Sequence, residues 1–523
     1  MGETKEDNQR YIDRPFNIRP FCFWALFVGL TVILSFQNMW FGLGFIILLG
    51  VGLYCVRFIK IKDKVLLYIG RSNVFIIVSV VLCLATFSSF VITQAAFSNI
   101  QRHEGTRQVV GVVESFNLRD PELGVSRMVI SNVQFGEENI RGRVVVFVNN
   151  YDGTDIGIAV GEYVSFLSRL NPSQPRAISI NNRTRHSASV RYQNIQTVGS
   201  SQRVNHVVTR YALRHLNIQL DERNAGLIYS MMFGDTSALD DDIVTNFRHL
   251  GIGHLFAASG LDVGLIMLVL FPFLKFLRVH RKAQLPIVAA VLLFYCYLCG
   301  WTPSIVRATL MFLVIFFNRI YLRKSDMLTG ICASAVIILV IQPYAIFSWS
   351  FQLSYACVFG IALFYAPIER TFLKAIHPNA PQPLQKVLRF FLRAVAMHVT
   401  VQIAVMPVSI SMFGVFAIYG IISNMFFVPI LTLSFCVALI SLVTWVGQIF
   451  LVPINWLMNL MHMGMEVLTT WPVGTVAISN PGYWWLFHLA GLLFLSRYVF
   501  LSRKYRYPIA GILFTVYFAS FFI

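Results

Sequence analysis

The sequence predicts a polytopic α-helical membrane protein of about 13 transmembrane helices that carries one small extracytoplasmic β-barrel domain. Three observations predict it. Of the 523 residues, 56% are hydrophobic and only 13% charged, and the mean hydropathy is +0.66. Apolar runs of about 16 to 25 residues recur along the chain, the length that crosses a bilayer as a helix. A single large polar region, residues 98–256, interrupts them with β-branched runs.

Residues 1–97 read as N-terminal membrane helices, with spans near 21–36, 40–58 and 74–97. Residues 261–523 read as the main helical core, with spans near 261–277, 285–301, 305–321, 327–347, 351–368, 394–412, 418–446, 449–470, 483–500 and 507–523. With the N-terminus cytoplasmic, the inner segments hold 25 of the 42 Lys and Arg, as the positive-inside rule requires. The odd span count then puts the C-terminus outside. The segment Gly414–Val446 is too long for one simple helix and contains Pro429, so a broken or re-entrant element is expected there.

Residues 98–200 form the outer domain. The runs 107–117, 124–135, 141–150 and 161–171 alternate β-branched residues and are separated by Gly, Asn, Asp and Pro, so they read as short strands. Such spacing suits an OB-like barrel, a common seat for oligonucleotides. Its basic residues are all arginine. Between Tyr163 and Leu220 stand Arg169, Arg176, Arg183, Arg185, Arg191, Arg203, Arg210 and Arg214 with no Asp or Glu, a composition that suits the phosphates of a single strand or anionic lipid headgroups. None of the eight cysteines falls in this domain, so it has no disulfide of its own.

Residues 201–260 read as interfacial helices. Arg203, Arg210 and Arg214 share one helical face, and Val204, Val208 and Tyr211 the other. A second helix begins at Asp240-Asp241-Asp242 and ends at Arg248-His249, and Ile243, Phe247 and Leu250 share a face that is expected at the interface. The three aspartates come without His or Glu at ligand spacing, so no metal is assigned. The polar marks that follow concentrate at the corner Gly251–Ile266. Ala257-Ala258-Ser259-Gly260 has little bulk, Gly260 and Gly264 make a small-xxx-small face, and Asp262 sits among apolar residues. A carboxylate at membrane depth is costly unless paired, which makes Asp262 a functional candidate. Arg307, at a similar depth just inside the outer face, is its expected partner. Gln352, Ser354, Gln402 and Asn424 are further pore or gate candidates, whereas His462, Asn459 and Glu466 read as ordinary interhelical bonding groups.

Four stretches, MMFGDTSALDDDIVTNFRHLGIGHLFAASGLDVGLI, WTPSIVRATLM, FSWSFQLSYACVFGI and MPVSISMFGVFAIYGIISNMFFVPI, resemble the ComEC competence-channel family in the family's order. The resemblance implies a channel that passes one DNA strand through the inner (cytoplasmic) membrane during natural transformation, with an outer OB-like domain ahead of the core. It also implies partners: an extracytoplasmic DNA receptor, a separate nuclease, and a cytoplasmic translocase or strand-binding proteins. The chain departs from the family in three ways. Asp262 stands where the family usually has His, the outer domain lacks the cysteine pair of some members, and the sequence stops at Ile523, just where the metallo-β-lactamase-like domain of many members would begin. No HxHxDH cluster and no GxxxxGK[ST] occurs, so the expectation is a channel with no cofactor, no nuclease and no ATPase of its own. Two other classes compete with it. One is a proton-coupled transporter using Asp262 and Glu466, and the other an intramembrane hydrolase with Ser259 as nucleophile and His254 as base.

Overall fold

The computed structural model describes residues 20–55, 73–98, 105–120, 125–149, 160–173, 183–235, 241–255, 260–321, 327–376, 381–413, 415–417, 420–444, 447–469, 475–477 and 503–519, with single positions at 100, 103, 158, 239, 488, 490 and 491. The chain is a mostly helical membrane protein with one small sheet domain. Six helices are long and apolar enough to cross a membrane among the described residues: Asn73–Ser98, Arg281–Leu298, Pro303–Tyr321, Trp349–Leu373, Gln382–Ile410 and Ile422–Val443. Phe21–Gln37, Met39–Cys55 and Met327–Ile341 are shorter apolar helices. The span expected at 483–500 lies almost wholly outside the described residues.

The chain divides into two compact units. The first comprises Met1–Thr93, Leu310–Phe416 and Ala477–Ile523. It contains α1 (Pro20–Gln37), α2 (Met39–Cys55), most of α3 (Asn73–Ser98) and most of α9 (Pro303–Tyr321). It also holds α10 (Met327–Ile341), α11 (Trp349–Leu373), α12 (Gln382–Phe413) and α15 (Arg503–Ala519). Val28 of α1 packs with Ile331, Ala335 and Leu339 of α10 and with Phe351 and Tyr355 of α11. Polar side chains inside this apolar mass are bonded to one another: Trp24 Nε1 donates to Ser79 Oγ at 3.1 Å, and Ser334 Oγ lies 3.0 Å from the Tyr355 hydroxyl.

The second unit comprises Gln94–Thr309 and Ala417–Val476. It opens with a sheet of eight strands: β1 (Arg107–Asp120), β2 (Val125–Phe135), β3 (Glu138–Ile140), β4 (Arg143–Asn149), β5 (Glu162–Ser168), β6 (Asn171–Pro172), β7 (Thr184–Arg191) and β8 (Gln196–Ser200). The order is β6-β7-β4-β2-β1-β5-β8, with β3 paired to β2, and β4 and β7 run parallel. Period-2 alternation sends Met128, Ile130, Val144, Val146, Val148, Val164, Phe166, Ala188 and Val190 into one core. Bulges in β1 near Val110–Val112 and Val113–Ser115 bend the sheet. The sheet does not close by a ladder, in contrast to the expected barrel. Near the gap, Ser168 Oγ at the end of β5 donates to the Ser189 carbonyl of β7 at 3.0 Å.

The helical part of this unit holds α4 (Val204–Leu216), α5 (Glu222–Phe233), α6 (Asp241–His249), α7 (Gly260–Phe276), α8 (Arg281–Leu298), the start of α9, α13 (Gly420–Val443) and α14 (Gly447–Thr469). Three expectations are corrected here. First, α13 runs unbroken through Pro429. The ring forgoes one backbone donor, and in a tightly packed apolar helix that single loss does not end it. Second, Ile243 and Phe247 of α6 and Leu250 just after it are buried at 1%, 0% and 1% exposure, so that face packs against protein and not lipid. Third, α4 turns His206, Thr209, Ala212, His215 and Leu216 inward, while Val204 and Tyr211 are exposed as well as Arg203 and Arg214. The neighbours α5, α8 and α13 cover the small and polar stripe of α4, because only that stripe fits closely against them.

Candidate functional site

At the centre of the second unit lies α5, a helix absent from the sequence reading. Every residue from Asn224 to Phe233 is buried. Asp221 stands at its N-cap but makes no side-chain cap bond. Its Oδ2 instead accepts from Asn455 Nδ2 at 3.0 Å and Asn459 Nδ2 at 2.9 Å, both on α14. These two amides hold the Asp221 carboxyl below the usual carboxylate range. One turn in, Asn224 Nδ2 donates to Asn455 Oδ1 and Asn459 Oδ1, both at 2.7 Å, and its Oδ1 accepts from His462 Nε2 at 3.0 Å. Asn455, Asn459 and His462 are spaced i, i+4, i+7, so one stripe of α14 answers one end of α5. Arg223 and Glu466 extend the stripe only loosely, at 3.8 Å with Glu466 mostly exposed.

The other end of α5 is held as firmly. Gly234 takes φ +73, the left-handed turn that ends the helix, and its N–H returns to the Ser230 carbonyl at 2.7 Å. The Met232 carbonyl accepts from the Tyr295 hydroxyl of α8 at 2.7 Å, and Cys299 Sγ lies 3.6 Å from the same oxygen. Tyr229 donates to Asp235 Oδ2 at 3.2 Å. Asp262 is near enough to Tyr295 and Cys299 to act on both electrostatically.

Asp262 and Arg307 are buried at 1% and 2% exposure. A Cβ placed on Gly260 would sit 3.4 Å from the Ala308 Cβ, so the start of α7 approaches α9 one residue beyond Arg307. One on Gly264 would meet no heavy atom within 4 Å, so only the first glycine of the small-xxx-small face is used for this approach. Arg307 also donates from an Nη to Ser304 Oγ at 3.3 Å. Asn424, on α13, donates to the Gly420 carbonyl at 2.6 Å. Gln352, Ser354 and Gln402 belong to the first unit, all partly exposed, and Gln352 Nε2 donates to the Ile346 carbonyl at 3.0 Å. Ser259 lies outside the described residues, as does the His254 side chain.

The arginines divide into two groups. Arg169, Arg183, Arg191, Arg203 and Arg214 are exposed. Arg185 and Arg210 are half-buried and engaged within the protein. Arg185 is the extra residue at the β4–β7 register shift, and its guanidinium lies 5.7 Å from the Phe97 ring centre. Arg210 donates to the Ser201 carbonyl at 2.6 Å and to the His206 carbonyl at 3.1 Å. Arg176 lies outside the described residues. Beneath Arg210, His206 packs against Gly161, where φ is +90 and a Cβ would come within 2.8 Å of the ring. Burial first, then Arg203 and Arg210, push the His206 pKa below its ordinary value, with Glu114 opposing them.

Known proteins place this arrangement. The model of the family described as competence protein matches residues 231–503, 273 of the 523 residues and so just over half of the chain. The chain is 26% identical over 280 residues to ComE operon protein 3 of Bacillus subtilis, covering 52% of this chain and 34% of that protein. It is 24% identical over 212 residues to Recombination protein 2 of Haemophilus influenzae, covering 39% and 26%. An uncharacterized protein of Aquifex aeolicus is 26% identical over 150 residues, covering 28% and 35%. The chain thus spans about a third, or less, of the length of each of these relatives. No solved structure matches it. The family match takes in the end of α5 with Gly234, the buried Asp262 and Arg307, and the whole amide-bearing stripe of α14, and on that match the chain belongs to the competence protein family.

Proposed function

We propose that this chain is an inner-membrane channel that admits single-stranded DNA to the cytoplasm during natural transformation. Membership of the competence family over residues 231–503 carries the reading, because that stretch contains the buried charges of the helical corner. Two further observations support it. Five exposed arginines lie on the sheet domain and α4, in a stretch without acids. The strand order, with β1 flanked by β2 and β5 and with β4 parallel to β7, supports reading the sheet domain as OB-like, open between β5 and β7.

In this reading about 13 helices span the membrane, the N-terminus is cytoplasmic, and the sheet domain and C-terminus are extracytoplasmic. Force and strand degradation come from partners: a DNA receptor outside, a separate nuclease, and a translocase or strand-binding protein inside. The test is to express the chain in a transformable strain whose own competence protein has been deleted, and to titrate the purified chain with single-stranded DNA. Restored transformation and salt-sensitive binding are expected. Neither one, with proton-coupled uptake of a small solute instead, would overturn the proposal.

A further inference from the structure

Cys22 and Cys332 are 310 residues apart in the chain, yet their sulfurs lie 3.2 Å from each other. Cys22 stands in the first turn of α1 and Cys332 in the second turn of α10. Both are thiols, and both are buried, at 4% and 1% exposure. The sequence explains the approach. Gly330, Ala333, Ser334 and Ala335 give α10 little bulk around Cys332, so α1 can come close. Val28, further along α1, packs with Ile331, Ala335 and Leu339 of α10 and holds the two helices where the thiols meet. Two other buried thiols behave differently. Cys296 Sγ lies 3.4 Å from the Thr309 hydroxyl, and Cys299 Sγ 3.6 Å from the Met232 carbonyl. Those rest against oxygen, as weak donors do in a core, whereas Cys22 and Cys332 face sulfur to sulfur. A disulfide bond is about 2.05 Å long, so closure asks for a movement of only about 1.2 Å from the 3.2 Å contact.

We infer that Cys22 and Cys332 form an oxidation site, which a small hydroperoxide closes into a disulfide that latches α1 to α10. One sulfur, as thiolate, attacks a peroxide oxygen. The O–O bond breaks, the sulfur becomes a sulfenic acid, and the departing hydroxide takes the thiol's proton and leaves as water. The second sulfur, already in contact, attacks the sulfenyl sulfur. The S–S bond forms, the S–O bond breaks, and the second thiol's proton leaves with that oxygen as a second water. Two electrons pass from the sulfurs to the peroxide. A small dithiol reverses the bond by exchange through a mixed disulfide. The pair lies within two turns of both helix starts, a short path for a molecule the size of a peroxide. Because α10 lies inside the family match at 231–503 and α1 ahead of it, the latch ties an N-terminal helix to the family core. The resting dithiol state rests on the proposed orientation, which turns both helix starts to the cytoplasm, where thiols are kept reduced.

The experiment uses the full chain in native membranes, with the recognition sequence of a site-specific protease inserted between β4 and β5, so that cutting separates Cys22 from Cys332. Thiols are blocked with N-ethylmaleimide before the membranes are dissolved. Without oxidant, the two fragments are expected to part on a non-reducing denaturing gel. After brief exposure to hydrogen peroxide most of the chain is expected to stay joined, and dithiothreitol to release it. Cys22→Ala and Cys332→Ala should each abolish the joining, and Cys83→Ala should leave it intact. Mass spectrometry of the unaltered, uncut chain should find the peptides of Cys22 and Cys332 joined after peroxide, which decides the matter even if a variant fails to fold. The oxidised chain in detergent should melt a few degrees above the reduced one, a difference that both single variants lose. Fragments that part after peroxide, with no joined peptide pair, would overturn the inference, as would joining that survives in both variants. Fragments already joined before any oxidant is added would overturn it too, because the pair would then be a permanent structural disulfide. None of these outcomes touches DNA binding or restored transformation, so the uptake reading stands or falls separately.

Discussion

Asp262 and Arg307 show how much a single buried charge demands of its surroundings. Each is almost wholly buried in a helix that enters an apolar core, and an ion there is tolerated only with compensation. The close approach of Gly260 to Ala308 brings the two helix starts together beside these residues, which supports their pairing. If they act as a pair, removing one partner strands the other, at about 3–5 kcal/mol, whereas removing both costs less. The expected outcome is that Asp262→Asn and Arg307→Gln each depress protein level and transformation more than the double variant does. Simple additivity in the double variant would show independent roles. Both residues were legible in the sequence, because a charge inside an apolar run is conspicuous. Asn224 was not. An Asn three residues into a short, mixed helix looks unremarkable until its three partners, all more than two hundred residues away, are brought to it.

At the scale of elements, α5 and the sheet mark the two ends of legibility. The first strands were readable within a few residues because alternation and turn residues act locally. Helix α5 went unread because its ten buried residues present no polar face, and 12 residues fall short of a span. What holds it is the amide ladder to α14. Asn224→Ala should leave Asn455, Asn459 and His462 each short of a partner and cost about 1–3 kcal/mol, read as a lower melting midpoint in detergent. An unchanged midpoint would mean that packing alone seats α5. The joint between the sheet and α4 behaves differently, since it contains His206 with a lowered pKa. Above the ordinary histidine value of about 6.5 the ring is neutral whether the joint is closed or open, and the contact is at full strength. As pH falls below that value the open state takes the proton first, so stability is lost on acidification, by at most about 1.4 kcal/mol per pH unit. Protection factors for hydrogen exchange at 160–166 and 201–210, taken against the intrinsic rate at each pH, should therefore fall between about pH 7.5 and pH 5.5 in the unaltered chain and stay level in His206→Gln. Equal acid sensitivity in both would remove His206 from the account.

For the whole molecule, the physical bias that sets orientation is the distribution of Lys and Arg, and it is stated entirely in the sequence. The segments assigned to the cytoplasm hold 25 of 42, and no lysine occurs between Lys64 and Lys275, the stretch that contains the whole sheet domain. Lysine and arginine in short loops resist translocation, whereas a long folded domain crosses largely regardless of its charge. A sheet domain with sixteen arginines near it can therefore lie outside while the short loops around Lys60–Lys64 and Arg278–Lys282 stay inside. The uptake reading depends on this sidedness, because a sheet domain facing the cytoplasm would meet the strand only after passage. Cysteine placed at the exposed position 198 of β8, in a chain whose own exposed Cys55 is replaced by Ser, should react with a membrane-impermeant maleimide added to spheroplasts. Cysteine placed at Lys282, at the start of α8, should react only once the membrane has been opened. The reverse pattern would invert the orientation, and with it the proposed direction of strand passage would lose its support. Labelling at both positions without opening would instead put the loop before α8 outside and require the single crossing between the two sites, α7, to be redrawn as an even number.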